Sequence, residues 1–197
     1  MALAALLASL FLTLPGCSGD EPAAGVRLGF SSYSMPHFQA QLRMVMLAAV
    51  KKPASRLQSQ VKELQRIGQI EIPRIGIREW MVQGTSKEAL HLGAGHLPET
   101  PLPGMGGNFA LAGDRVLYTA PFLRLNQVGI GDEIILHMPY ADLRYRVESK
   151  FNVDPTQVSV LDPRGYDSIT LSTCDPTWQL YTRLIVSARL VDADPKG

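Results

Sequence analysis

A mainly β fold, a barrel or a sandwich, is predicted for this chain by three observations. From Ile67 onward the hydrophobic period is two residues, short apolar runs recur between Gly and Pro, and helices do not alternate with them as in β-α units. At 197 residues, 46% hydrophobic and 19% charged, the chain can bury one sizeable core and still carry an N-terminal appendage. Nineteen basic residues against eighteen acidic ones leave a net charge of +1, so the overall field favours neither nucleic acid nor an acidic surface. No internal repeat is visible.

Residues 1–17 read as a targeting segment. The first sixteen, MALAALLASLFLTLPG, are uncharged and almost wholly apolar, but shorter than the ~20 residues that cross a bilayer comfortably. A signal peptide fits, although the usual basic start is missing. Leu14-Pro15-Gly16-Cys17 resembles a lipoprotein signal, in which a small residue precedes a cysteine that becomes lipidated. Lipidation at Cys17, a short membrane anchor and simple cleavage are three alternatives, and under each the remainder is extracytoplasmic.

Residues 18–66 read as linker and helix. Ser18 to Pro36 is rich in Gly, Ser and Pro. Leu42, Val45, Met46 and Ala49, then Leu57, Val61 and Leu64, follow helical spacing on either side of Pro53, which predicts two helical pieces. Their apolar stripe is expected to pack on the domain, a neighbour or a membrane surface. Residues 67–191 then form the β domain. Ile70 and Ile72 alternate with Gln69 and Glu71, Ile75 and Ile77 follow Pro73, and Thr85 with Glu88 supplies a capping box for a short helix over Lys87 to Leu92. Further strands are expected over Phe109 to Ala112, Glu133 to Met138, Leu143 to Val153, Ile169 to Cys174 and Leu184 to Val191. In the third, Leu143, Tyr145 and Val147 alternate with Arg144, Arg146 and Glu148, the mark of a sheet with one face in water. Residues 192–197 read as a tail.

The chemistry centres on Cys174. The two cysteines lie far apart, so a disulfide framework is not expected. The β-rich run Ile169 to Cys174 ends on a thiol and meets a turn signal, Asp175-Pro176. A strand end fixes the sulfur while the loop leaves it open to substrate. By position alone, the same cysteine also suits a small packing residue. Arg183 begins the last strand after eight residues, Asp175 to Thr182, so a hairpin-like return brings its guanidinium beside Cys174. A fixed cation near a thiol favours the thiolate, and the guanidinium fork binds a carbonyl or the oxyanion made from it. A solvated strand arginine is the alternative.

Thr170-Leu171-Ser172-Thr173-Cys174 resembles the sortase TLxTC signature, and Thr182-Arg183-Leu184-Ile185-Val186 resembles the family's arginine strand. Upstream, Gly93-Ala94-Gly95-His96-Leu97-Pro98, Leu102-Pro103-Gly104, Gly107-Asn108 and Ala110-Leu111-Ala112-Gly113 are similar to the segment leading to the sortase histidine. Arg115, Phe122, Leu125, Gly131 and Asp132 resemble the family's residues beyond that histidine. The resemblance implies an eight-stranded β-barrel with short connecting helices, preceded by an N-terminal helical segment. It also implies a Cys-His-Arg site and a two-step transpeptidation. The thiolate attacks the Thr-Gly bond of an LPxTG-like sorting signal to give a thioester, which an amine, usually on a cell-wall precursor, resolves. No metal or organic cofactor is implied. The Gly-rich lead-in and the GDEIIL segment are most similar to class D and E members.

One position departs from the family pattern. Where the family has histidine after Ala-Gly, this chain has Asp114. A carboxylate near the sulfur works against the thiolate, and an ionised one cannot protonate a leaving amine. Desolvation would keep Asp114 neutral, whereas Arg115 and Arg183 nearby would favour its charged form. His96, in its Gly-x-Gly-His setting, is the auxiliary acid or base to weigh against a plain loop histidine. Thr173, Tyr118 and Trp178 are expected to line the substrate groove. His37, His91 and His137 show no metal-ligand or pairing spacing and read as surface or packing residues. The expectation is a sortase-like cysteine transpeptidase with impaired or altered activity. Its rivals are a weak or inactive module that holds sorting-signal peptides, and a cysteine hydrolase that releases them to water.

Overall fold

Strands β1 (Arg66–Ile72), β2 (Ile77–Gln83), β3 (Ala94–His96), β4 (Asn108–Ala112), β5 (Glu133–Met138), β6 (Ala141–Val153), β7 (Ser168–Asp175) and β8 (Thr182–Pro195) close into a barrel. Around it the neighbours run β1-β2-β3-β4-β7-β8-β6-β5. This computed structural model describes residues 35–117, 119–175 and 182–196. Two pairs are parallel, β2 with β3 and β4 with β7; the rest are antiparallel. A parallel pair needs a crossover connection. Helix α2 (Lys87–Leu92) supplies it between β2 and β3, and the β5-β6 hairpin lies within the longer one between β4 and β7.

Period-two burial makes the barrel. Along β6, Leu143, Tyr145 and Val147 are buried while Arg144, Arg146 and Glu148 are exposed. Ile70, Phe109, Leu111, Ile134, Leu136, Ile169 and Leu171 point into the same core. Each such side chain contributes about 1.5–3 kcal/mol by leaving water.

Several local expectations are corrected. A single helix, α1 (Met35–Gln60), runs unbroken through Pro53. Proline forfeits one backbone hydrogen bond, and here packing offsets it. Val50 and Ala54 are buried, with Leu47, Leu57 and Val61 packed against the core, and Gln58 Oε1 accepts from Leu102 N at 2.7 Å. Of the expected stripe, Leu57 and Val61 pack on the domain, whereas Leu42 and Val45 are exposed. The cap of α2 is Ser86, whose Oγ accepts from Ala89 N at 3.2 Å, rather than Thr85. The full extent of β2 and the existence of β3 escape the alternation rule, and β8 carries its pairing with β6 on to Pro195, into the expected tail. His137 is a bridge, with its ring nitrogens 2.9 Å from Asp142 Oδ1 and 3.0 Å from Glu71 Oε2.

Among the described residues no helix is long and apolar enough to cross a membrane. Cys17 and the rest of the expected targeting segment lie outside the described residues, as do Tyr118, Trp178 and the side chain of His37.

Candidate active site

The strand register builds the site. Cys174 on β7 is the antiparallel partner of Arg183 on β8, and the Arg183 guanidinium donates to Cys174 Sγ through Nη1. On the other side of β7 runs β4, parallel, with Ala112 opposite Ser172. The chain therefore leaves β4 at Gly113 and Asp114 beside Thr173 and Cys174. Gly113 N donates to Ser172 O at 3.1 Å, Thr173 Oγ1 donates to Gly113 O at 2.7 Å, and Phe122 N donates to Asp114 O at 3.1 Å. Glycine is required at 113 by close approach, because a Cβ there would stand 2.5 Å from the buried Phe122 ring. Cys174, Arg183 and Asp114 thus share one open cleft, together with Leu90, Ser172 and Thr173.

Desolvation raises the pKa of Asp114, against a smaller downward pull from the charges of Arg183 and His91. Burial thus makes the ionised carboxylate less favourable than it would be in water. Arg115 does not charge it, contrary to expectation. That guanidinium is buried, ion-paired with Asp175, and donates through Nε to Leu123 O at 3.4 Å. Asp175 also accepts from Asn152 Nδ2 at 2.8 Å. The residues after Asp114 and after Cys174 are thereby tied to each other, which holds the two loop starts together. His91 is a surface residue, as expected, on α2 next to Leu90 of the cleft lining, with its Nδ1 2.6 Å from Lys87 O and its charge felt at Asp114.

His96 is elsewhere. It pairs with Leu111 across β3 and β4, is 1% exposed, and packs its ring on Phe109 with centroids 4.8 Å apart. Its Nδ1 lies 2.7 Å from Gln83 Oε1 and its Nε2 3.1 Å from both oxygens of Thr100. Burial pushes its pKa down to about 4. The structure does not bring it to the cleft, so the auxiliary-base expectation is replaced by a neutral packing histidine. Thr173 does line the cleft, but its hydroxyl is taken by the Gly113 carbonyl.

A second groove of about 190 Å³ adjoins the first through Ala112, Ser172 and Arg183. Leu97, Val153, Val158, Leu161 and Ile185 give it an apolar lining. Sequence reasoning misses its wall, because Val158–Leu161 is a 3-10 turn without strand or helix periodicity. Among the described residues no group of three or more His, Cys, Asp or Glu is placed to hold a metal.

Residues 70–191 match the Sortase domain family model. Sortase SrtE1 of Streptomyces coelicolor is 33% identical over 144 residues, 65% of this chain and 41% of the relative. Sortase D of Bacillus subtilis is 28% identical over 57% of this chain and 56% of its own length. The chain thus spans about half the length of these curated relatives. Among solved structures, sortase E of Streptomyces avermitilis superimposes with a TM-score of 0.63 at 32% identity, over 68% of this chain and 93% of that one. Sortase C of Streptococcus pneumoniae gives 0.65 at 27% identity, over 82% and 96%. The closed barrel, the cysteine and arginine at adjoining strand ends, and a family match across 70–191 all agree, and the chain belongs to the sortase family.

Proposed function

We propose that this chain is a cysteine transpeptidase that cleaves an LPxTG-like sorting signal and passes the acyl part to an amine. The observation that carries the reading is the cleft shared by Cys174, its partner Arg183 and Asp114, whose pKa burial moves upward. Cys174 as thiolate attacks the carbonyl carbon of the Thr-Gly bond, and Arg183 steadies the negative charge that develops on the carbonyl oxygen. When the C–N bond breaks, the leaving amine takes the proton of Asp114 and the acyl group stays on sulfur as a thioester. An incoming amine attacks that thioester, its surplus proton returns to Asp114, and the thiolate departs. Asp114 thus takes the duty that the family gives to histidine, which alters the rate and the pH range of the reaction.

The apolar groove beside Arg183 suits the residues ahead of the scissile bond, a leucine and proline in an LPxTG-like signal. A related solved structure, sortase E1 of Streptomyces coelicolor, is described with a tripeptide in its active site. The acceptor is an amine such as that of a cell-wall precursor, and the enzyme works outside the cytoplasmic membrane, held by its N-terminus. Incubation with an LPxTG-type peptide library, followed by mass spectrometry, tests this. A Cys174 acyl adduct that vanishes in Cys174→Ala is the expected result. Peptide binding without any adduct would replace it with the second reading, a module that holds sorting signals, which the carboxylate at the acid position favours.

A further inference from the structure

We propose that Asn108 is a positioning residue that latches the groove wall to the barrel and so sets which apolar residue the groove accepts; this rests on the transpeptidase reading above. Asn108 opens β4 and is 1% exposed. Its Nδ2 donates to Val160 O at 2.9 Å and to Asp162 O at 3.4 Å. Its Oδ1 accepts from Thr170 Oγ1 at 2.9 Å and from Ser168 Oγ at 3.2 Å. An amide side chain offers two donors and one acceptor oxygen with two lone pairs, so every position is used.

The segment being held needs such a latch. The 3-10 turn Val158–Leu161 has no buried residue, and Val158 is 70% exposed. Apolar burial therefore does little to anchor it. Its inner side nevertheless forms the groove wall, through Val158, Val160 and Leu161, facing Ile185 and Arg183. Buried polar groups on a sheet keep their place when they find partners. Here Asn108, Ser168 and Thr170, on the parallel strands β4 and β7, form a polar strip that reaches out to the Val160 and Asp162 carbonyls, with Ser168 Oγ also 3.4 Å from Gly107 O. The strip lies well away from the reacting sulfur. Thr170, its member nearest the sulfur, is four residues from Cys174 along β7, and Ser168, opposite Asn108, is six, or about 13 Å and about 20 Å at strand rise. Asn108 acts on the wall and not on the chemistry.

Asn108→Leu keeps the bulk and removes the latch, and Thr170→Val is the milder partner should the first variant fail to fold by circular dichroism. In either, amide hydrogen exchange over residues 157–162 is expected to speed up while the rest of β4 and β7 stays protected. With a peptide series varied at the leading apolar residue, KM for the preferred peptide should rise about tenfold, a loss of packing against a mobile wall. The preference among leucine, valine and alanine should flatten, while alkylation of Cys174 by iodoacetamide keeps its rate. Unchanged exchange in a folded variant overturns the latch. Faster exchange with unchanged peptide preference overturns its role in specificity. A parent protein that takes no peptide while its exchange responds as expected brings down the transpeptidase reading and the specificity role with it, and leaves the latch established.

Discussion

His96 lies on β3 and Asp114 two residues past the end of β4, the strand that pairs with β3, and burial pushes their pKa values in opposite directions. Desolvation penalises whichever form is charged, so it takes the imidazole down to about 4 and moves the carboxyl up. In each the charged form is disfavoured by burial, yet only one group opens onto the cleft. The ring of His96 is sealed between Phe109, Gln83 and Thr100. Asp114 lies one residue past Gly113 at the strand exit, partly exposed, in the cleft of Cys174. A neutral acid that meets substrate can give its proton, whereas a neutral base without access can take none. Access, rather than residue type, separates the group that can meet substrate from the one that only packs.

The strongest test of this contrast removes the proton from the accessible side. Asp114→Asn keeps the shape but has no acidic proton, and single-turnover acylation of Cys174 is expected to fall by roughly 10²–10⁴-fold. Asp114→His supplies an imidazole and should match or exceed the parent rate. If Asp114→Asn acylates as fast as the parent, Asp114 is not the proton donor.

The sealed side predicts a stability effect. His96 binds its proton more weakly folded than unfolded, so the unfolded chain holds more protons between about pH 4 and 6.5. Stability is full above pH 6.5 and declines as pH falls toward 4, by roughly 3 kcal/mol from this group. Urea unfolding across that range, with His96→Gln as reference, measures it. If the parent and His96→Gln lose stability in parallel, the ring is not sealed.

A smaller effect is expected where the two sides meet. Gly113→Ala drives a methyl into Phe122 and should cost about 1–3 kcal/mol as overpacking. The accompanying shift of Asp114 should lower the acylation rate. Thermal unfolding and single turnover on the same samples check both, and an unaltered protein would show that Phe122 yields freely. The slightest change concerns His91, whose charge draws the Asp114 pKa down. Because the acid must keep its proton, activity is lost as pH rises through that pKa. In His91→Gln the loss should move to higher pH, and a pH–rate profile displaced downward would contradict the assignment.

Much of the fold can be read from residue order. Strict alternation marks β6, and β5 falls within a residue of its expected limits, because a half-buried strand must alternate. The extent of β2 is hidden because Trp80, Met81 and Val82 stand in a row, and β3 because Ala94, Gly95 and His96 look like a loop. In both cases pairing with a distant strand supplies the structure that local pattern lacks. The path of α1 through Pro53 is a matter of the same kind, since propensity alone favours a break there.

The site divides along the same line. Cys174 and Arg183 flank one strand-to-strand connection, so their meeting follows from chain order and from the antiparallel register that the hairpin imposes. Nothing local joins Asp114 to Cys174, Arg115 to Asp175 or Asn108 to Val160. Those contacts cross about fifty to sixty residues of chain and exist because β4 and β7 run parallel side by side in a closed barrel. Residue types and their order offer a thiol with a cation beside it as one of two readings, and the β7–β8 register decides between them. Which carboxylate loses water, which arginine is already engaged and which histidine is sealed depend on solvent access and pairing geometry, and these arise when the barrel closes.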